Sequence, residues 1–316
     1  MRVLVTGAAG FIGSHLCEAL LAQGHVVVGA DNFDPYYDRS VKEHNLRGAR
    51  AVPGFRFVEA DLRDAEAARR LMGEGFDAVA HLAGRGGVRR SILEPRAYAE
   101  LNYLATLNLL EALRERGPRR LVFASTSSIY GSRNEVPFRE DDATDRPVSP
   151  YAATKKACEA LCHAYHHLHG LDVYALRFFT VYGPRQRPDM AIHTFVRKME
   201  AGEPIERYGD GSAERDYTYV DDIVRGVVRA LERVRGYEII NVGGASTTPL
   251  RRLVALLERL LGRRAEIIER PPQPGDVPRT AADVSKAARL LDFAPRVGLE
   301  EGLERFIAWY RKERTS

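Results

Sequence analysis

Apolar runs of strand length alternate with apolar positions at helical spacing along most of this chain. Val3 to Thr6 form the first run, and Ile12, Leu16, Ala19 and Leu20 then recur at i, i+4, i+7 and i+8, the signature of one helix face. Further runs follow at Val26 to Ala30, Phe55 to Val58, Ala78 to His81, Leu121 to Ala124 and Val173 to Leu176, most of them separated by helical stretches. Strands joined through helices predict an α/β fold, a doubly wound parallel sheet covered on both faces. Glycine and proline thicken after Phe178, as at Gly183-Pro184 and Pro271-Pro272, and a last strand pattern returns at Tyr237 to Asn241. A sheet domain of residues 1–177 and 217–243 is therefore expected, interleaved with a smaller C-terminal lobe of residues 178–216 and 244–316. The helix around Leu101, Leu104, Leu107, Leu110 and Leu113 is apolar on more than one face, so one side covers the sheet and another is free to meet a second copy.

Composition narrows the class without naming a function. With 316 residues, 45% of them hydrophobic, the chain can bury a full core. The net charge of +4 is spread over interspersed acids and bases, so no nucleic-acid partner is expected. Cys17, Cys158 and Cys162 are too few for a disulfide framework, no apolar run reaches bilayer length, and Met1 to Val5 lead directly into the fold. A soluble cytoplasmic protein without a membrane partner is expected. Cys162 and His166 share a helix face at metal-compatible spacing, but no second ligand cluster completes a closed site, so no metal is expected either.

The chemistry lies in two motifs. Thr6-Gly7-Ala8-Ala9-Gly10-Phe11-Ile12-Gly13 follows the first strand and opens the first helix. Gly7 allows the tight turn, Gly10 the close approach of a pyrophosphate, and Gly13 the packing of helix on strand. Asp31, at the end of the second strand, is placed to accept hydrogen bonds from an adenosine ribose diol and to repel a ribose phosphate, which favours NAD over NADP. The second motif is Ser149-Pro150-Tyr151-Ala152-Ala153-Thr154-Lys155, in which a helix starting at Pro150 puts Tyr151 and Lys155 on one face. A tyrosine base working near neutrality needs about three pKa units, roughly 4 kcal/mol, of help. A lysine charge ~5 Å away at an effective dielectric of ~20 contributes about 3 kcal/mol, and the positive ring of an oxidised nicotinamide supplies the rest.

Over essentially its whole length the chain resembles the extended short-chain dehydrogenase/reductase family, and within it the nucleotide-sugar 4-epimerases. The resemblance rests on the glycine loop, on Phe123-Ala124-Ser125-Thr126-Ser127-Ser128-Ile129-Tyr130-Gly131, and on Tyr151 with Lys155. It implies a Rossmann-type sheet with tightly held NAD, a C-terminal lobe binding a UDP-sugar, and a homodimer. The implied catalytic set is Tyr151 as base, Thr126 bonding the reacting oxygen, and Lys155 holding the nicotinamide ribose. The implied NAD contacts are Gly7, Gly10, Phe11, Ile12, Gly13, Asp31, Asn32, Asp61, Leu62, Leu82 and Ala83, together with Tyr151 and Lys155. Arg215, in Glu214-Arg215-Asp216-Tyr217, matches the family arginine on the UDP diphosphate.

Departures from the family pattern point to a substrate. Ser127-Ser128 stands where similar 4,6-dehydratases carry an Asp-Glu pair and where UDP-xylose-forming decarboxylases carry Ser-Glu. Arg177-Phe178-Phe179-Thr180-Val181-Tyr182-Gly183-Pro184-Arg185-Gln186-Arg187-Pro188-Asp189-Met190 resembles the corresponding stretch of UDP-glucuronate 4-epimerases, whereas neutral-sugar epimerases often have Asn at the place of Thr180. Oxidising C4 of glucuronate creates a β-keto acid prone to lose carbon dioxide. Hydroxyls of Ser127, Ser128 and Thr180, with a charged bond from Arg187, are therefore expected to fix the carboxylate, and Arg89 to border the pocket. The expected reaction is the NAD-dependent interconversion of UDP-glucuronate and UDP-galacturonate. The rivals are epimerisation of UDP-glucose or UDP-N-acetylglucosamine, decarboxylation of UDP-glucuronate, and a non-catalytic NAD-binding scaffold.

Overall fold

The computed structural model describes residues 1–133 and 135–315. Its first six strands are β1 (Arg2–Thr6), β2 (Val26–Asp31), β3 (Phe55–Glu59), β4 (Ala78–His81), β5 (Arg120–Thr126) and β6 (Asp172–Phe178). Four short strands follow, β7 (Thr180–Tyr182), β8 (Ile205–Tyr208), β9 (Glu214–Arg215) and β10 (Tyr217–Tyr219), before β11 (Tyr237–Val242) returns to the main sheet. That sheet runs β11-β6-β5-β4-β1-β2-β3, with parallel pairing throughout. Strand order reverses between β1 and β4, where an open α/β sheet leaves a crevice beyond its carboxyl ends.

The continuous apolar strands are explained by burial on two faces. Val3 and Val5 join Leu16 and Leu20 of the helix Phe11–Ala22 and Val227 of the helix Val220–Arg233. Leu4, between them, points the other way into a core with Leu109 of the helix Ala105–Arg116 and Cys158 and Cys162 of the helix Pro150–His169. The three cysteines are free and buried. Ser149 caps the last of these helices through the Ala152 N–H, and Pro150 occupies its first turn.

Beyond β6 the chain pairs distant segments: β7 with β10, β8 with β13 (Ile267–Arg270), and β9 with β12 (Thr248–Pro249). Helices Ala191–Ala201, Leu250–Leu261 and Leu299–Thr315 send Phe195, Leu257 and Phe306 into the same core as Val3 and Val5. The leucine-rich stretch departs from the expected single helix. Residues Pro95–Tyr98 are α-helical, Ala99–Leu104 form a wider π-type turn, and Ala105–Arg116 resume the α-helix. Leu101, Leu110 and Leu113 are buried, whereas Leu104 is 40% exposed, as are Leu93 at 78% and Leu168 at 68% on other helices.

Candidate active site

A cavity of about 360 Å³ opens beyond the carboxyl ends of β1, β2, β4 and β5. At its floor, Gly7 has φ +72° and Gly10 donates its N–H to the Gly7 carbonyl at 3.0 Å. A Cβ on Gly13 would fall 2.0 Å from the Gly7 oxygen, so this turn admits no side chain there. The helix that follows has neither a side-chain cap nor an acid in its first turn, which leaves its N–H groups and positive dipole end open to the cavity.

The wall brings together every residue expected at the cofactor: Gly7, Gly10, Phe11, Ile12, Gly13, Asp31, Asn32, Asp61, Leu62, Leu82, Ala83, Tyr151 and Lys155. The Asp31 carboxylate accepts the Phe33 N–H at 2.8 Å and the Ala9 N–H at 3.2 Å, and lies 3.9 Å from the buried Lys42 ammonium. Burial raises its pKa, against the opposing pull of Lys42. Lys42 was not foreseen as a neighbour, nor were Tyr36, Tyr37 and Arg85, which line the same cavity. Arg85 grips Asp34 through Nε and Nη2 at 2.8 and 3.1 Å, tying the loop after β4 to the loop after β2.

Thr126, Tyr151, Thr180 and Arg187 also reach the wall. Lys155 reaches the same wall. Its ammonium donates to the Ala124 carbonyl of β5 at 2.9 Å and lies over the Phe123 ring, and burial lowers its pKa. Tyr151 is itself raised by burial, and what pulls it back is the Thr126 hydroxyl and then the Arg187 charge. The Arg187 fork is already engaged: Nε and Nη2 donate to the two oxygens of Asp189, each at 2.9 Å. Nη1 lies outside this pair of bonds and approaches Gly86 of the cavity wall. A Cβ on Gly86 would sit 2.8 Å from this Nη1 and 3.8 Å from the Tyr151 oxygen, so the phenol and the guanidinium meet on one stretch of the cavity wall.

Four other expected substrate residues lie outside this wall. Ser127 and Ser128 start a tight 3-10 turn, Ser127–Tyr130, and Thr126 donates its hydroxyl proton to the Ser128 Oγ at 3.2 Å. Arg89 bonds Asp276 at 2.8 Å and covers the Tyr208 ring. Arg215 donates to the backbone carbonyl of Glu214; burial lowers its pKa, Arg89 adds to that, and Tyr217 and Asp276 oppose it. Arg89 and Arg215 thus form a second basic cluster, sharing one carboxylate.

The model of the NAD dependent epimerase/dehydratase family matches residues 3–243. The chain belongs to that family. Within this family it is 44% identical over 311 residues to the UDP-glucuronate 4-epimerase of Thermodesulfobacterium geofontis, covering 98% of this chain and 96% of that protein. The crystal structure of the UDP-glucuronic acid 4-epimerase from Bacillus cereus, in complex with UDP-glucuronic acid and NAD, matches at TM-score 0.94 and 39% identity, over 99% of this chain and 100% of that one. The UDP-glucose 4-epimerase of Thermotoga maritima with UDP-glucose matches at TM-score 0.91 and 34% identity, over 99% and 100%. Architecture alone therefore does not separate the acidic sugar from the neutral one. The family's cofactor fits the residues present: the side-chain-free turn at Gly7, Gly10 and Gly13 leaves room for a pyrophosphate, and Asp31 is an acceptor at the adenosine end.

Proposed function

We propose that the protein interconverts UDP-glucuronate and UDP-galacturonate by oxidising C4, turning the 4-keto sugar over in the pocket and reducing it from the opposite face. The observation that carries this reading is the stretch of cavity wall at Gly86, where the Tyr151 phenol and Arg187 Nη1 lie together. In glucuronate the C4 hydroxyl and the C6 carboxylate are separated by one ring carbon, so a base for the first and a cation for the second must sit this close. Tyr151 removes the hydroxyl proton and returns it after the turn, Thr126 bonds the same oxygen, and Arg187 favours the phenolate while holding the acid. When bound, NAD supplies the hydride acceptor and donor at C4, and its oxidised ring adds positive charge near the phenol. Thr180 and Arg187 keep the carboxylate from aligning with the C4 carbonyl, the geometry that releases carbon dioxide. Ser127 and Ser128 join them from the turn behind Thr126.

Arg215 and Arg89 take the UDP diphosphate, a role suited to a buried cation whose nearest counter-charge, Asp276, is shared. The interleaved division at residues 1–177 with 217–243 and 178–216 with 244–316 separates cofactor from nucleotide binding. Leu93, Leu104 and Leu168 pair two copies into a homodimer, and the three buried free cysteines suit a reducing cytoplasm. None of the described helices is long and apolar enough to cross a membrane.

Product analysis of Arg187→Ala with UDP-glucuronate tests the assignment. Losing a charged hydrogen bond costs about 1.5 to 3 kcal/mol, so kcat/KM is expected to fall roughly tenfold or more, with less change on UDP-glucose. Epimerisation at the parent rate removes Arg187 from recognition of the carboxylate.

A further inference from the structure

The fork of Arg187 is closed by a residue that no sequence motif singled out. Asp189, two positions on, takes Nε and Nη2 side by side, and the Tyr36 hydroxyl donates to the same Asp189 oxygen that accepts Nη2, at 3.2 Å. Tyr36 comes from the loop after β2, beside the cofactor cradle, whereas Asp189 and Arg187 come from the loop after β7. The Tyr36 ring also lies under the guanidiniums of Arg187, Arg85 and Arg90, at 5.1, 5.5 and 5.9 Å to its centroid, so its place is set from several sides. The brace therefore fixes which nitrogen of Arg187 lies toward Tyr151 on the cavity wall.

We infer that Asp189, steadied by Tyr36, is a positioning residue that closes the side-on fork of Arg187 to the sugar acid and presents Nη1 instead. This inference rests on the proposed UDP-glucuronate chemistry. An open guanidinium fork binds a carboxylate through two parallel bonds and holds it in one plane. An epimerase cannot keep that grip, because the 4-keto sugar must release the acid, turn, and be held again before reduction. With Asp189 occupying the Nε and Nη2 side of the guanidinium, the acid meets Arg187 from the Nη1 side, without the grip of that side-on fork. Asp189 thus gives up ground-state affinity in return for turnover.

The test separates binding from turnover. The affinity for UDP-glucuronate is measured by calorimetry on the NAD-loaded protein in a Tyr151→Phe background, where no turnover occurs, and kcat is measured in the active background. Asp189→Asn is expected to bind UDP-glucuronate at least threefold more tightly while its kcat falls about tenfold, with turnover of UDP-glucose falling less. Tyr36→Phe is expected to move both quantities the same way by smaller amounts. A purely structural role for Asp189 weakens binding and slows turnover together, and that result overturns the inference, as does a variant that matches the parent. A parent that turns over UDP-glucose but leaves UDP-glucuronate untouched overturns the substrate reading, and this inference with it.

Discussion

Glu159→Gln isolates a charge in the centre of the protein. Glu159 and Arg177 are each 1% exposed and meet through two bonds of 2.9 Å, Nε to Oε1 and Nη2 to Oε2. The pair is tied into β5 and the strands beside it. Ser125, next to Thr126, donates to Oε1 at 2.6 Å, and Arg177 Nη1 donates to the Tyr130 hydroxyl, which in turn donates to Asn241. Removing one partner of a buried pair costs about 3 to 5 kcal/mol, because the remaining ion has no water to turn to. With an unfolding entropy of ~2.1 cal/mol/K per residue, a chain of 316 residues has a slope of roughly 0.7 kcal/mol per degree. The expected fall in Tm is about 4 to 7 °C, read by scanning calorimetry with both proteins saturated with NAD so that ligand linkage cancels. In the double variant Glu159→Leu with Arg177→Met no buried ion is left, since Lys156, 3.8 Å from Glu159, is 36% exposed, and at least half of the loss should return. A shift below about 2 °C, or a double variant no better than the single one, refutes the assignment of this stability to charge pairing.

Three further outcomes are expected. Gly13→Ala places a methyl 2.0 Å from the Gly7 carbonyl oxygen, so the purified variant should carry little NAD; parent-level cofactor content measured by absorbance after denaturation would show that the turn can shift. His81, fully buried between the Thr6 and Thr106 hydroxyls, has its pKa lowered to about 3 by burial and then by Lys155, so it stays neutral when folded and takes a proton only on unfolding as pH falls below its ordinary value near 6.5. That stability is fully present above pH 6.5 and is lost progressively toward pH 3, about 2 kcal/mol by pH 5, and urea titrations at pH 7 and pH 5 should show His81→Gln losing correspondingly less. Leu168→Glu charges a side chain 68% exposed on the proposed dimer face and should yield a monomer by light scattering; a parent that is already monomeric at micromolar concentration disposes of that interface.

The main sheet was legible because all seven strands are short, apolar and separated by helices or loops, and the observed strands extend the expected runs by no more than two residues at either end. The small strands were not legible, since each pairs with a distant segment; Thr180 meets Tyr217 only in the folded chain. The glycine loop and the Tyr151 to Lys155 helix face are local features, and the structure brings every expected cofactor residue to one wall. What the sequence concealed depends on tertiary contacts. Spacing on a helix could not show that Lys155 turns to the Ala124 carbonyl, or that Asp189 engages Arg187. Tyr36, Tyr37 and Arg85 were within reach, because they follow β2 and β4 at the strand ends where ligands of such sheets bind.

The most direct measurement of the central claim follows a label. UDP-glucuronate carrying deuterium at C4 is incubated with the NAD-loaded protein and the products are separated and weighed by mass spectrometry. The account requires UDP-galacturonate that keeps its deuterium, because the hydride leaves C4 and returns to C4 within one closed pocket. Loss of the label to solvent, or no UDP-galacturonate at all, contradicts it.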